Sequence, residues 1–244
     1  MADFQEPTAA DRRGLVIFDC DGVLVDSEIL ACDVQSRALA RHGMKISGAE
    51  VARRFLGASA KDMRAAIEAD LGRSLPADHE DQCLRELYAA FRRELAPVAG
   101  IANVVGAVRA AGYACCVASS SSPERIALAL DVTGLRSALE PHVFSSTMVS
   151  RGKPAPDLFL FAAERMGFKP GQAQVVEDSQ NGVKAAKAAG MRCVGFVAGS
   201  HCSAEHADSL VAVGADRVCA DARSLSAALT GWDQRDPEGA GSPG

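Results

Sequence analysis

No apolar run in the sequence approaches the roughly 20 residues that a membrane-crossing helix requires, so a helical membrane protein is not expected. The first residues, MADFQEPTAADRRG, carry Asp and Glu where an export signal would be apolar. No signal peptide is expected, and the cytoplasm is the expected compartment. Excess positive charge is missing too: 26 Lys and Arg face 31 Asp and Glu, a formal net charge of −5. A nucleic-acid footprint needs clustered cations, so neither nucleic acid nor a membrane is an expected partner. The eight cysteines form no CxxC pair, and most sit in apolar runs where a thiol acts as a small hydrophobe. Buried, reduced thiols are their expected state. The chain has no internal repeat and no coiled-coil pattern.

What is present points to a folded enzyme-sized unit. Of 244 residues, 48% are hydrophobic and 23% charged, enough for one sizeable core and a smaller satellite. Gly14–Phe18 is apolar throughout and ends abruptly at Asp19, as a strand covered on both faces should. Tyr113–Ala118 before Ser119, Ala173–Val176 before Glu177, and Arg192–Phe196 read the same way. Phe144 and the stretch 216–219 suggest two weaker strands. Helical patterns fall between them, over Ile101–Ala111, Pro123–Leu130, Pro156–Met166 and Gln180–Ala189. Ser122–Pro123 suits a helix start and Gly190 a helix end. Strands alternating with helices predict a doubly wound, Rossmann-like parallel α/β sheet, with ligands at the carboxyl ends of the strands.

One stretch interrupts the alternation. Residues 27–95 show helical signals and no strand: Ser47 and Glu50 suggest a capping box, and Leu84, Leu87, Tyr88, Phe91 and Leu95 recur at helical spacing. The expectation is an α/β core of residues 13–26 and 96–232 with an α-helical cap inserted over 27–95. The ends, 1–12 and 233–244, read as flexible tails.

Four stations carry candidate chemistry. Asp19-x-Asp21-Gly22 leaves the first strand, and two acids so close repel unless a cation or a shared proton relieves them. Asp19 is the candidate nucleophile and metal ligand, Asp21 the candidate general acid/base. Glu177–Asp178 ends another strand, and neighbouring strand ends lie about 5 Å apart, so these acids and Asp19 converge within reach of one Mg²⁺. Ser119–Ser122 lies where a strand meets a helix N-terminus, a ready anion site. Ser119, read as the first residue past its strand, and Ser120 are the candidate phosphate ligands. Lys153, in a loop stiffened by Pro154 and Pro156, is placed to neutralise a transferring phosphoryl group. Together these supply an in-line nucleophile, an acid on the leaving side and positive charge around the equatorial oxygens.

These stations, in FDCDGVLVDSE, SSSS, RGKPAPD and VVEDSQNG, resemble the haloacid dehalogenase superfamily from Leu15 to about Ala220. The resemblance implies a Mg²⁺-dependent phosphatase working through an aspartyl-phosphate on Asp19. It adds Asp21 as a Mg²⁺ ligand through its main-chain carbonyl, and Glu177 and Asp178 as metal-side acids. An acid at Asp21 favours phosphoryl transfer over dehalogenation. The runner-up is a β-phosphoglucomutase-type isomerase. Relatives of that type carry a cap histidine and a Lys and Arg around a Gly, where this chain has Ala31, Leu56 and Ala60 about Gly57. A non-catalytic sugar-phosphate binder is the rival of another class. The implied substrate is a small sugar phosphate or phosphorylated sugar acid such as 6-phosphogluconate. Arg53 and Arg54 are weighed as substrate contacts and read as solvated, and His201–Cys202 as an ordinary loop.

Overall fold

The computed structural model describes residues 12–55 and 60–232. The expected tails lie outside these residues except for Arg12, as do Leu56 and Gly57. Six parallel strands are β1 Leu15–Phe18, β2 Ala114–Ser119, β3 Val143–Ser145, β4 Ala173–Glu177, β5 Arg192–Phe196 and β6 Arg217–Cys219, ordered β3-β2-β1-β4-β5-β6. Helices α1 Glu28–Arg41, α2 Gly48–Phe55, α3 Ala60–Leu71, α4 His79–Glu94 and α5 Ile101–Ala110 lie between β1 and β2. Then come α6 Pro123–Val132 and the short α7 Arg136–Leu139, α8 Asp157–Arg165, α9 Gln180–Ala188, α10 Ala204–Ala212 and α11 Ala222–Thr230.

The apolar runs form strands because both faces of the sheet are covered. Val16 and Phe18 pack with Ile101, Val104 and Leu225 on one face. Leu15 and Ile17, pointing the other way, pack with Leu158, Phe159 and Val183. All four are fully buried, each worth roughly 1.5–3 kcal/mol of transfer free energy. The helix signals act locally as read: the Ser122 hydroxyl accepts the Arg125 N–H ahead of Pro123, and Gly190, at φ +70°, follows the end of α9. Six of the eight free cysteines are buried; Cys83 and Cys202 are partly exposed. Among the described residues no helix is long and apolar enough to cross a membrane.

Helices α1, α2 and α3 share a small core of Cys32, Leu39, Val51, Phe55, Ile67 and Leu75, whereas Leu87 and Phe91 of α4 join the cluster that packs on β1. Two local readings change. Ser47 caps α2 by accepting the Glu50 N–H at 3.2 Å, but the Glu50 carboxylate turns to Arg53 rather than completing a capping box. The stripe on α4 divides: Leu87 and Phe91 are buried, whereas Leu84 is 42% exposed and lines a cleft. That cleft lies where the strand order reverses beside β1, between the strand ends and the helical insert.

Candidate active site

Phe18 of β1 pairs in register with Val176 of β4, so Asp19 and Glu177 leave adjacent strands at the same level. The Asp19 N–H still donates to the Val176 carbonyl at 3.0 Å. Into this corner comes Lys153, from the loop before α8. Its ammonium donates to Asp19 Oδ1 at 2.6 Å, to Glu177 Oε1 at 2.6 Å and to the Ala118 carbonyl at 3.0 Å. Burial alone would discharge this lysine, but Asp19 and Glu177 hold it firmly protonated.

Asp178 completes the acidic corner. One oxygen from each of Asp19, Glu177 and Asp178 lies within 4.8 Å of the others. Burial pushes the Asp19 carboxyl well above the usual range; Lys153 pulls against this, while Glu177 and Asp178 add to it. Asp178 is raised as well, chiefly by burial. Lys153 faces Asp19 and Glu177, and His201 faces Asp178; three hard oxygen donors together suit Mg²⁺. Two glycines make room for the carboxylates of Glu177 and Asp178. A Cβ on Gly182 would stand 1.8 Å from the Glu177 carboxyl carbon, and one on Gly22 would stand 1.8 Å from Asp178 Oδ2. Ser179 orients Glu177 from its hydroxyl at 2.9 Å and its N–H at 3.1 Å.

Asp21 is kept apart from these acids. Its Oδ1 accepts from Arg125 at 2.7 Å and Ser27 at 2.6 Å, and its Oδ2 accepts from Ser121 at 2.6 Å. Burial would raise its pKa, yet Arg125 and the two hydroxyls hold it below the ordinary carboxylate value. Two aspartates two residues apart are thus driven in opposite directions. The split runs opposite to an ionised nucleophile beside a protonated acid, so those roles would need a cation beside Asp19 and release of Asp21 from Arg125.

The two serines read as phosphate ligands, Ser119 and Ser120, line the cleft. Ser119 is the last residue of β2 rather than the first beyond it, because its pairing with Ser145 continues the ladder. Its hydroxyl accepts the Ser121 N–H at 3.1 Å. The clustered acidic oxygens that could hold a metal ion come from Asp19, Glu177 and Asp178, and the Asp21 side chain is turned to Arg125. Arg125 and Ser121 were not legible as site residues; four serines before a helix and an arginine in its first turn look like ordinary capping. His201–Cys202 is not an ordinary loop: His201 Nε2 stands 3.0 Å from Asp178 Oδ2. Burial would lower the pKa of this imidazole, but Asp178 and Cys202 bring it up to about 10.

The cleft above these groups holds about 950 Å³ and is lined from the insert by Glu28, Ala31, Gln35, Arg64 and His79. Arg53 and Arg54 do not reach it; they pair with Glu50 and Asp70 on the outside of the insert. Glu28 faces Asp21 and Asp178, and burial together with those charges raises its carboxyl to about 7.

Residues 14–190 match the model of the haloacid dehalogenase-like hydrolases. A phosphoglycolate phosphatase of Shigella dysenteriae is 30% identical over 210 residues, covering 78% of this chain and 82% of that one. A 6-phosphogluconate phosphatase of Escherichia coli is 27% identical over 191 residues, covering 78% and 85%. Among solved structures, a hydrolase of the same family from Deinococcus radiodurans, crystallised with phosphate and sodium, superposes with a TM-score of 0.77. It is 33% identical and covers 91% of this chain and 96% of that one. With its acids at the carboxyl ends of β1 and β4 and a family match over most of its length, the chain belongs to the haloacid dehalogenase-like hydrolases.

Proposed function

We propose that this chain is a cytoplasmic, Mg²⁺-dependent phosphatase that hydrolyses a small sugar phosphate or phosphorylated sugar acid. The observation that carries the reading is the bridging of Asp19 and Glu177 by Lys153 while Asp21 is braced separately by Arg125. Asp19 attacks phosphorus in line and forms an aspartyl-phosphate. Ser119, Ser120 and Lys153 hold the phosphoryl oxygens. Asp21 gives a proton to the leaving alkoxide and takes one from the water that opens the intermediate. Donating that proton requires Asp21 to loosen its contact with Arg125 as the ester enters. Asp19, Asp178 and Glu177, with the main-chain carbonyl of Asp21, would hold the metal. Bound there, Mg²⁺ supplies the charge that keeps Asp19 ionised and offsets the phosphoryl oxygens.

The substrate class rests on the cleft and on the relatives. Gln35, Arg64, His79 and Glu28 offer both donors and acceptors, which suits a hydroxylated carbon chain. Relatives named for phosphoglycolate and 6-phosphogluconate support a phosphorylated acid. Against the isomerase reading stands Ala31, an apolar residue at the cleft wall where a mutase-type cap carries a histidine. The other two positions of that comparison involve Leu56 and Gly57, outside the described residues, and Ala60, the first residue of α3. The test is phosphate release from phosphoglycolate, 6-phosphogluconate and a panel of sugar phosphates. Preferential release from a sugar phosphate or sugar acid supports the proposal. Isomerisation of β-glucose 1-phosphate without net release replaces it with the mutase, and binding without either reaction with the binding protein.

A further inference from the structure

His201, Cys202 and His206 lie on the loop after β5 and the first turn of α10, and the reaction above uses none of them. One ligand atom from each lies within 4.8 Å of the others. His201 Nε2 stands 3.3 Å from Cys202 Sγ and 3.0 Å from Asp178 Oδ2. A tetrahedral zinc ion has ligand-to-ligand edges of roughly 3.3–3.6 Å, from Zn–N near 2.0 Å and Zn–S near 2.3 Å. The His201–Cys202 spacing already falls in that range, and a His206 ring nitrogen lies within 4.8 Å of both. The His201 side chain is 1% exposed, and its Nδ1 is buried without a hydrogen-bond partner. Hydrogen bonding thus leaves Nδ1 unsatisfied, while Nε2 is the nitrogen beside Cys202 and Asp178. His206 is tied to the same place, its Nε2 2.5 Å from the Asp178 carbonyl.

We propose that His201, Cys202 and His206 form a binding site for a zinc-class transition-metal ion that shares Asp178 with the acidic corner. The donor set decides the class. Two imidazoles and a thiolate suit Zn²⁺ or Co²⁺ and hold Mg²⁺ poorly, whereas the oxygens of Asp19 and Glu177 have the reverse preference. Binding displaces the imidazolium proton of His201 and the thiol proton of Cys202 to solvent. Because Asp178 Oδ2 already faces His201, an ion there draws this carboxylate away from the hard-cation site, so zinc inhibits phosphate release. This inhibitory consequence rests on the proposed phosphatase activity; the binding site does not.

Titration of the metal-freed protein with Co²⁺ tests the site directly, because a cobalt–thiolate bond gives a charge-transfer band in the near ultraviolet. The expected result is a band that saturates at one ion per chain, is erased by Zn²⁺ and is missing in Cys202→Ser. His206→Ala weakens zinc affinity by at least about tenfold, since even outer partners of a metal site are worth that much. The site is overturned if wild type gives no band. It is also overturned if the band survives in Cys202→Ser; loss in Cys83→Ser, whose thiol lies 3.6 Å from His79, would then place the ion there. A Cys202-dependent band with phosphate release indifferent to zinc overturns the inhibition and keeps the site. If no ester is hydrolysed at all, the same titration still decides the site, and the failure belongs to the functional reading.

Discussion

Arg125 Nη2 lies 2.7 Å from Asp21 Oδ1, joining the first turn of α6 to the loop after β1 across 104 residues of sequence. The same guanidinium lies 5.5 Å from the centre of the Phe91 ring on α4. The acid/base candidate is therefore coupled to the helical insert that covers it. A carboxylate braced in this way stays ionised until its surroundings rearrange.

Replacing Arg125 by Gln should cost stability in a pH-dependent way. The folded-state pKa of Asp21 is depressed. Its contribution is therefore present above the ordinary carboxylate value and lost as pH falls through the folded one. The partly exposed pair sets the loss at roughly 1–3 kcal/mol near neutral pH, shrinking in acid. Urea midpoints of both proteins at pH 7 and pH 3 measure it; a loss equal at the two values would mean that charge is not the cause.

Glu28 predicts the opposite slope. Its folded pKa of about 7 lies above the ordinary glutamate value, so the folded state binds the extra proton. The folded state is favoured at low pH, and stability falls as pH rises from about 4.5 towards about 7. Glu28→Gln, uncharged throughout, should match wild type near pH 4.5 and melt higher at pH 8 in EDTA. Parallel melting curves across that range would contradict the assignment.

Gly182 is held to glycine by close approach, not by backbone conformation. A methyl group there overlaps the Glu177 carboxyl, and overpacking of this kind costs about 1–3 kcal/mol. Gly182→Ala should lower the melting temperature and, by turning Glu177 aside, weaken activation by Mg²⁺ at least several-fold. A Mg²⁺ activation curve unchanged from wild type would show that Glu177 does not serve the cation.

Most of the fold could be read from continuous apolar runs, because a parallel sheet covered on both faces asks for them at β1, β2, β4 and β5. The short strands β3 and β6 gave little signal. Their pairing partners, Val117–Ser119 and Val194–Phe196, matter more than their own three residues. Asp19, Lys153, Glu177 and Asp178 were legible because each follows a strand or sits in a stiffened loop beside the carboxyl edge. Arg125, Ser121 and Glu28 were not. Each lies on or just before a helix, and only the packing of α6 and α1 against α4 turns them towards the cleft. The His201 contact with Asp178 was hidden for the same reason, since nothing local links a loop residue to an acid on the neighbouring strand.

The central claim is that Asp19 attacks phosphorus with a divalent cation beside it. The direct measurement is phosphate release by wild type and Asp19→Asn on the best ester of the panel, with Mg²⁺ or with EDTA. The account predicts release by wild type with Mg²⁺, its disappearance in EDTA, and a loss of at least about 10³-fold in a folded Asp19→Asn protein. Release from Asp19→Asn at a rate near wild type, or undiminished release in EDTA, would contradict it.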